Sequence, residues 1–354
     1  MKAAALLTDE DTHLLDHLAP LSFALNIPLF LTEEKTFQLA KHFYPQIQTI
    51  FLPHKYLSLQ FLSQHFDTLI QTKFWPPSFK ENFQFFFNKK MRLIFCPHGH
   101  SDKGYLAPLL TPYTWQDIVL FYGPHLQHML KELNLWDKIN NKTMIGNFRF
   151  LFYQTFRSHF DSIAQKQVKI FIDKKKKTLL YAPTWNDMEN SSSFSSIFHH
   201  VIEQIPKHFN LIVKLHPLLK RRDPQLFYRL TSSCLSKNIC LLIDFSPVYP
   251  VLQITDIFLG DFSSVGYDFL LFQKPMFFHI ANNKKNNPFS SHLHSCGINI
   301  PQEKIHYLVS FIKKNLKEAS EKKEKQKSTY LHAFGNDISL KQIKKNIFSL
   351  CKNK

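Results

Sequence analysis

Thr255-Asp256-Ile257-Phe258-Leu259-Gly260-Asp261-Phe262-Ser263-Ser264-Val265-Gly266-Tyr267-Asp268-Phe269 reads as an apolar strand, a turn and the start of a helix. The strand ends at Gly260. Asp261, Ser263 and Ser264 are favourable capping types for a helix running through Tyr267 to Phe272, which Lys274-Pro275 closes before a further strand. Such a turn aims backbone N–H groups and the positive end of a helix dipole at the carboxyl edge of a sheet. An anion there gains ~0.3–1 kcal/mol from the dipole, besides direct hydrogen bonds from N–H and hydroxyl. Ordinary helix capping without a ligand explains the same spacing equally well.

Outward from this segment the chain keeps alternating. Strands are predicted at Ile27–Leu31, Gln48–Leu52, Arg92–Cys96 and Asp117–Tyr122 in the first half. In the second they fall at Thr178–Ala182, Asn210–Leu215, Ile239–Ile243, Ile257–Gly260 and Pro275–Phe278. Helical spacing fills Glu33–His42, Pro124–Leu135 and Pro224–Leu235, and a basic helical pattern runs from Gln302 to Lys354. Strands alternating with helices predict parallel sheets joined by crossover helices. A chain of 354 residues exceeds what one core usually supports. Two domains are therefore expected, 1–167 and 168–354, divided just before the solvated turn Lys174-Lys175-Lys176-Lys177.

The composition is 44% hydrophobic with 20% charged residues, enough apolar material to exclude a disordered chain. The formal net charge of +17 attracts phosphates, whether in a nucleotide, a nucleic acid or a lipid head group. Five cysteines without a CxxC pair argue against a disulfide framework or a zinc site and for a reducing compartment. The apolar start at Ala3–Leu7 is too short for a signal peptide, and no apolar run reaches the roughly 18 residues of a spanning helix. A cytoplasmic protein is expected, with a peripheral position at the inner face of the cell membrane as its further option.

Three more segments carry candidate chemistry. Lys214-Leu215-His216-Pro217 ends a strand at proline, which puts His216 at the sheet's carboxyl edge, where an imidazole donates to a diphosphate or exchanges a proton. A solvated or structural histidine is the plainer alternative. Pro97-His98-Gly99-His100-Ser101-Asp102-Lys103-Gly104 follows another strand and gathers imidazole, carboxylate and ammonium groups suited to a general-base site. Its His-Gly-His spacing lacks a matching third metal ligand, so no metal is expected. Tyr181-Ala182-Pro183-Thr184-Trp185-Asn186-Asp187 ends a strand in a loop whose Trp185 either plugs a surface between domains or lines a cleft. The stretch Phe74 to Lys90, rich in phenylalanine and lysine, reads as core with a basic rim or as a membrane contact.

Taken in order, Tyr181-Ala182-Pro183-Thr184-Trp185, Lys214-Leu215-His216-Pro217 and Asp261-Phe262-Ser263-Ser264 resemble the CDP-glycerol glycerophosphotransferases, the polymerases and primases of teichoic acid synthesis. Asp268-Phe269 and Lys274-Pro275 sit at the family's spacing after the serine pair. Upstream, His98-Gly99 with Lys103 is similar to its His-Gly turn, and Gly146 with Arg149 to its Gly-x-x-Arg element. The resemblance covers roughly residues 92 to 280. It implies a GT-B fold, two Rossmann-like domains with parallel sheets facing across a cleft, the acceptor side on the first and the nucleotide donor on the second. It further implies that His216, Ser263 and Ser264 contact the donor diphosphate, with Asp261 shaping the turn and Thr184 and Arg149 completing the donor set. His98 is implied as the base for the acceptor hydroxyl, with His100 and Lys103 beside it. Two departures stand out. Asn186 occupies a position where the family often carries Arg, and His100-Ser101-Asp102 replaces its common Thr-Pro-Leu.

The expected activity is transfer of glycerol phosphate from CDP-glycerol, or a similar nucleotide-activated donor, to a hydroxyl on a glycan or lipid-linked acceptor. No obligatory cofactor is implied. An anionic membrane surface is a further expected partner, and nucleic acid is not one, since no helix-turn-helix, zinc-finger or RNA-binding signature is present. The alternatives are a GT-B glycosyltransferase using a nucleotide sugar and a non-enzymatic basic protein that binds nucleic acid or membrane.

Overall fold

The computed structural model describes residues 2–100, 102, 107–187, 191–234, 239–279 and 291–352. Seven strands form the first sheet: β1 (Ala3–Leu7), β2 (Leu29–Leu31), β3 (Thr49–Phe51), β4 (Thr68–Gln71), β5 (Arg92–Phe95), β6 (Ile118–Phe121) and β7 (Lys142–Met144). Six form the second: β8 (Lys177–Ala182), β9 (Phe209–Lys214), β10 (Ile239–Leu242), β11 (Ile257–Gly260), β12 (Met276–His279) and β13 (Ile298–Ile300). Strands such as Ile118–Phe121 and Ile257–Gly260 are buried at every position, because helices cover both faces of a parallel sheet.

The first sheet has the order β3-β2-β1-β4-β5-β6-β7 and the second β10-β9-β8-β11-β12-β13, and every pairing in them is parallel. Each order runs outward one way and then the other from a central pair, the doubly wound Rossmann-like pattern. The reversal falls between β1 and β4 in the first sheet and between β8 and β11 in the second. Ligands of such sheets bind beyond the carboxyl ends of the strands at this reversal.

The predicted strands form within a residue or two of their expected limits, and four more appear. β1 is built from Ala-Ala-Ala-Leu-Leu, all buried, and only its position at the sheet centre makes a strand of that weak β-former. β4, β7 and β13 are three or four residues long and too short to declare themselves by pattern. The predicted helix from Pro224 runs to Thr231, and its expected end at Leu235 lies outside the described residues.

The chain divides into two compact units. The first comprises Met1–His100, Leu106–Phe156 and His332–Lys354, and the second Ser101–Tyr105 and Arg157–Leu331. This differs from the expected boundary at 167/168 in two ways. The helix Arg157–Gln167 groups with the second unit, where it packs on the helix Tyr249–Gln253. The basic helix Leu340–Lys352 returns to the first unit, burying Ile343, Ile347 and Cys351 and packing against the helix Leu15–Leu25. A contiguous reading of the sequence had no way to register that return. Gly123 permits it, since a Cβ there would lie 2.2 Å from the Ala333 carbonyl oxygen. Among the described residues, no helix is long and apolar enough to cross a membrane.

Candidate active site

In the second unit Tyr181 of β8 pairs with Val213 of β9 and with Leu259 of β11, one row across three strands. Three residues beyond that row come Thr184, His216 and Phe262, followed by Ser263 and Ser264. His216 and the serines thus leave the same carboxyl edge from β9 and β11, roughly 10 Å apart across β8, two strand spacings. The β8/β11 reversal lies between them.

Asp261 organises this edge. It is fully buried. Its carboxylate accepts the N–H of Thr184 at 2.9 Å, the N–H of Ser193 at 2.7 Å and the Ser193 hydroxyl at 2.8 Å. Because the Ser193 proton goes to Asp261, the Tyr181 O–H donates to Ser193 Oγ, 3.0 Å away. Burial, and then the Asp261 charge, hold the Tyr181 phenol well above its ordinary pKa, so it keeps that proton. The carboxylate expected to shape this turn thus holds protein donors. Asp261 is a positioning residue that fastens the loop after β8 to the turn after β11. Thr184 is buried, its N–H on Asp261 and its carbonyl accepting the Ser192 hydroxyl at 2.6 Å.

Ser263 caps the helix Ser264–Phe269, but by backbone only, for its hydroxyl makes no capping bond. The helix is six residues long, so its dipole is small, and what the turn presents is chiefly its first-turn N–H groups and serine hydroxyls. The other spaced residues of this segment do structural work. Asp268 accepts the Tyr249 O–H at 2.8 Å, and Lys274 Nζ donates to the Thr255 carbonyl at 2.5 Å, closing the end of the helix Tyr249–Gln253.

His216 caps the helix Pro217–Arg222, its Nδ1 accepting the Leu218 N–H at 3.2 Å. A neutral ring that accepts at Nδ1 carries its proton on Nε2, so His216 offers a donor rather than a base. Trp185 packs against the apolar core of this unit and lies under the Arg222 guanidinium, 5.0 Å from its ring centre.

In the first unit His98 stands exposed just beyond β5, one strand from the β1/β4 reversal. Its Nδ1–H donates to the Thr72 carbonyl at 3.3 Å, which leaves the lone pair of the neutral ring on Nε2, the opposite tautomer from His216. The rings of His13 and His17 lie 6.0 Å and 6.3 Å from it.

Two expected site residues, Arg149 and His100, are buried. Arg149 is 5% exposed and pairs with Asp16 through both Nη2 and Nε, while Nε also donates to the Asp16 carbonyl at 3.1 Å. These bonds tie the helix Phe148–Thr155 to Leu15–Leu25. His100 is buried among Tyr122, His125 and Phe334, not on an acceptor face, and burial followed by His125 pushes its pKa well below the ordinary value. Lys103 lies outside the described residues. Asp102 belongs to the second unit, where it accepts the Tyr267 O–H and the Leu293 N–H, the latter at 3.2 Å. Ser193 was not foreseen, and no local pattern marks a serine 68 residues from its carboxylate. Among the described residues, no cluster of His, Cys, Asp and Glu could hold a metal ion.

Two doubly wound units with the candidate residues at strand carboxyl ends define the GT-B class. A wall teichoic acid polymerase TagF structure shares the fold with a TM-score of 0.65 at 13% identity, over 99% of this chain and 89% of that one. The Staphylococcus aureus MnaA–UDP co-structure does so at 0.61 and 12%, over 99% and 97%. The family model for CDP-Glycerol:Poly(glycerophosphate) glycerophosphotransferase matches residues 153–330, half of the chain, and the chain belongs to that family. A teichoic acid glycerol-phosphate primase of Bacillus spizizenii is 31% identical over 117 residues, 32% of this chain and 28% of the relative. The same organism's teichoic acid poly(glycerol phosphate) polymerase is 25% identical over 179 residues, 44% of each. The matched stretches thus span less than half the length of these relatives.

Proposed function

We propose that this chain transfers glycerol phosphate from CDP-glycerol, or a closely similar nucleotide-activated donor, to a hydroxyl of a glycan or lipid-linked acceptor. The observation that carries the reading is the carboxyl edge of the second sheet, where His216 and the Ser263-Ser264 turn flank the β8/β11 reversal and Asp261 fixes the loops between them. Family membership supports the donor class.

In this reading the donor diphosphate takes N–H and hydroxyl donors from Ser263 and Ser264 and the Nε2–H of His216. The acceptor oxygen forms a bond to the β-phosphorus, the bond from that phosphorus to the bridging oxygen breaks, and CMP leaves with the bond's electrons. The acceptor proton goes to Nε2 of His98. Positioning and charge stabilisation carry most of such a reaction, and no cofactor is assigned to it. A lipid-linked acceptor would bring the chain to an anionic membrane surface, which its net charge of +17 suits.

The test is a thermal-shift and transfer panel of CDP-glycerol, CDP-ribitol and UDP- or CMP-sugars. CDP-glycerol is expected to stabilise the chain and to be consumed. Stabilisation by a nucleotide sugar alone would assign a glycosyltransferase instead, and no response to any donor would remove the enzymatic reading.

A further inference from the structure

A lysine-rich stretch of the chain lies on the opposite edge of the second sheet from His216 and the serines. Between residues 162 and 186 there are six lysines and one acid, Asp173. In the middle of this run the single turn Lys169–Phe171 leaves Ile170 67% and Phe171 47% exposed. Both line a groove of about 840 Å³ with Asp173, Lys176, Lys207 and Phe209, formed where β8, β9 and β10 begin. The turn that presents the lysines is held in place. The buried Asn210 side chain accepts the Asp173 N–H at 3.0 Å and donates to the Asp173 and Lys176 carbonyls at 2.9 and 3.2 Å.

We propose that this amino-edge face, with Ile170 and Phe171 at its tip and Lys169, Lys174–Lys177 and Lys207 around them, docks on an anionic phospholipid surface. Lysines alone would attract any polyanion. The adjacent isoleucine and phenylalanine gain nothing on a polyanion, whereas at a bilayer they leave water for the acyl boundary while the ammonium groups stay among the head groups. A protein partner fits less well, because lysine is depleted from protein interfaces. The exposed pair Phe85 and Phe86 is a weaker candidate. Of the lysines near it, Lys80 pairs with Asp117 and Lys89 with Asp67, which offsets their charge; on the proposed face Asp173 offsets Lys176 in the same way, at 3.6 Å.

Flotation of the full chain with phosphatidylcholine vesicles, and with vesicles of equal parts phosphatidylcholine and phosphatidylglycerol, tests the proposal. Binding is expected to the anionic vesicles only and to weaken with salt. Replacing Lys174–Lys177 by glutamine should cost roughly fivefold in partition per lysine. The double substitution Ile170→Ser and Phe171→Ser should cost at least about tenfold, with an unchanged melting temperature because both side chains are exposed. Phe85→Ser with Phe86→Ser should bind as the parent does. Full vesicle binding by the Ile170/Phe171 variant, loss confined to the Phe85/Phe86 variant, or no binding by the parent chain would each overturn the proposal. So would a lysine variant that loses only an immobilised polyphosphate while keeping the vesicles.

Discussion

The carboxylate of Asp261 accepts the backbone N–H of Thr184 at 2.9 Å, so a residue at the end of β11 sets the path of the chain leaving β8. Asp261→Asn turns an amide N–H₂ toward donors that now meet an oxygen. The cost should be about 3 kcal/mol of stability in the second unit, typical of a broken buried charged network. Urea denaturation checks the stability, and titration with CDP-glycerol should show weaker binding in parallel. Weaker binding at an unchanged midpoint would mean that the carboxylate touches the ligand after all.

Arg149 and Asp16 form a buried pair in the first unit. Arg149→Met leaves the Asp16 carboxylate without its guanidinium, which should cost roughly 3–5 kcal/mol. Arg149→Lys should recover part of this, because one ammonium replaces a fork that also reaches a carbonyl. Donor binding should be the same in whatever fraction of either variant is folded. A Kd for CDP-glycerol raised more than the folded fraction explains would return Arg149 to the donor set.

His216 has two jobs that substitution can separate. His216→Asn keeps a side-chain acceptor for the Leu218 N–H, while His216→Ala removes cap and donor together. Loss of the cap should cost about 1 kcal/mol in the alanine variant alone. Both variants should lose transfer. His98→Ala, which removes the proposed base, should lower turnover by roughly 10²–10⁴ while donor binding persists. Near-normal turnover in the His98 variant would refute its role.

The first unit should weaken in acid. Burial holds His17 and His100 well below the ordinary imidazole pKa, with Arg149 adding to the effect at His17 and His125 at His100. In the unfolded chain both take up a proton near ~6.5. Below that pH the unfolded state binds more protons than the folded one, so stability is full above it and declines as pH falls. Each group contributes up to about 1.4 kcal/mol per pH unit. Urea midpoints at about pH 7.5 and about pH 5.5 should separate for the parent chain and separate less for His100→Gln. An equal separation in the two proteins would remove His100 from the account.

Local chemistry made much of this legible. Runs such as Ile118–Phe121 and Ile257–Gly260 declare buried strands, and a proline or capping residue after each marks the edge where ligands gather. That reasoning put His216, Ser263 and Ser264 at one edge. It fails where a partner is remote. Nothing near Arg149 announces Asp16, 133 residues away, so a buried cation looked like a site cation. The turn-shaping part expected of Asp261 had no visible partners, because its donors come from Thr184 and Ser193, 77 and 68 residues distant. His100 follows a strand, as His98 does, but the returning segment around Ala333 and Phe334 closes over it, which the local pattern does not contain.

That returning segment sets an order of events during synthesis. The first sheet is translated by residue 144, yet the surface of Leu15–Leu25 that receives Ile343 and Ile347 waits for a helix about 200 residues downstream. At ribosomal speeds of roughly 5–20 residues per second, that is on the order of 10–40 s. The unit begun first is finished last. A nascent chain stalled before residue 340 should therefore hold an apolar surface open to chaperones while the second sheet is already complete.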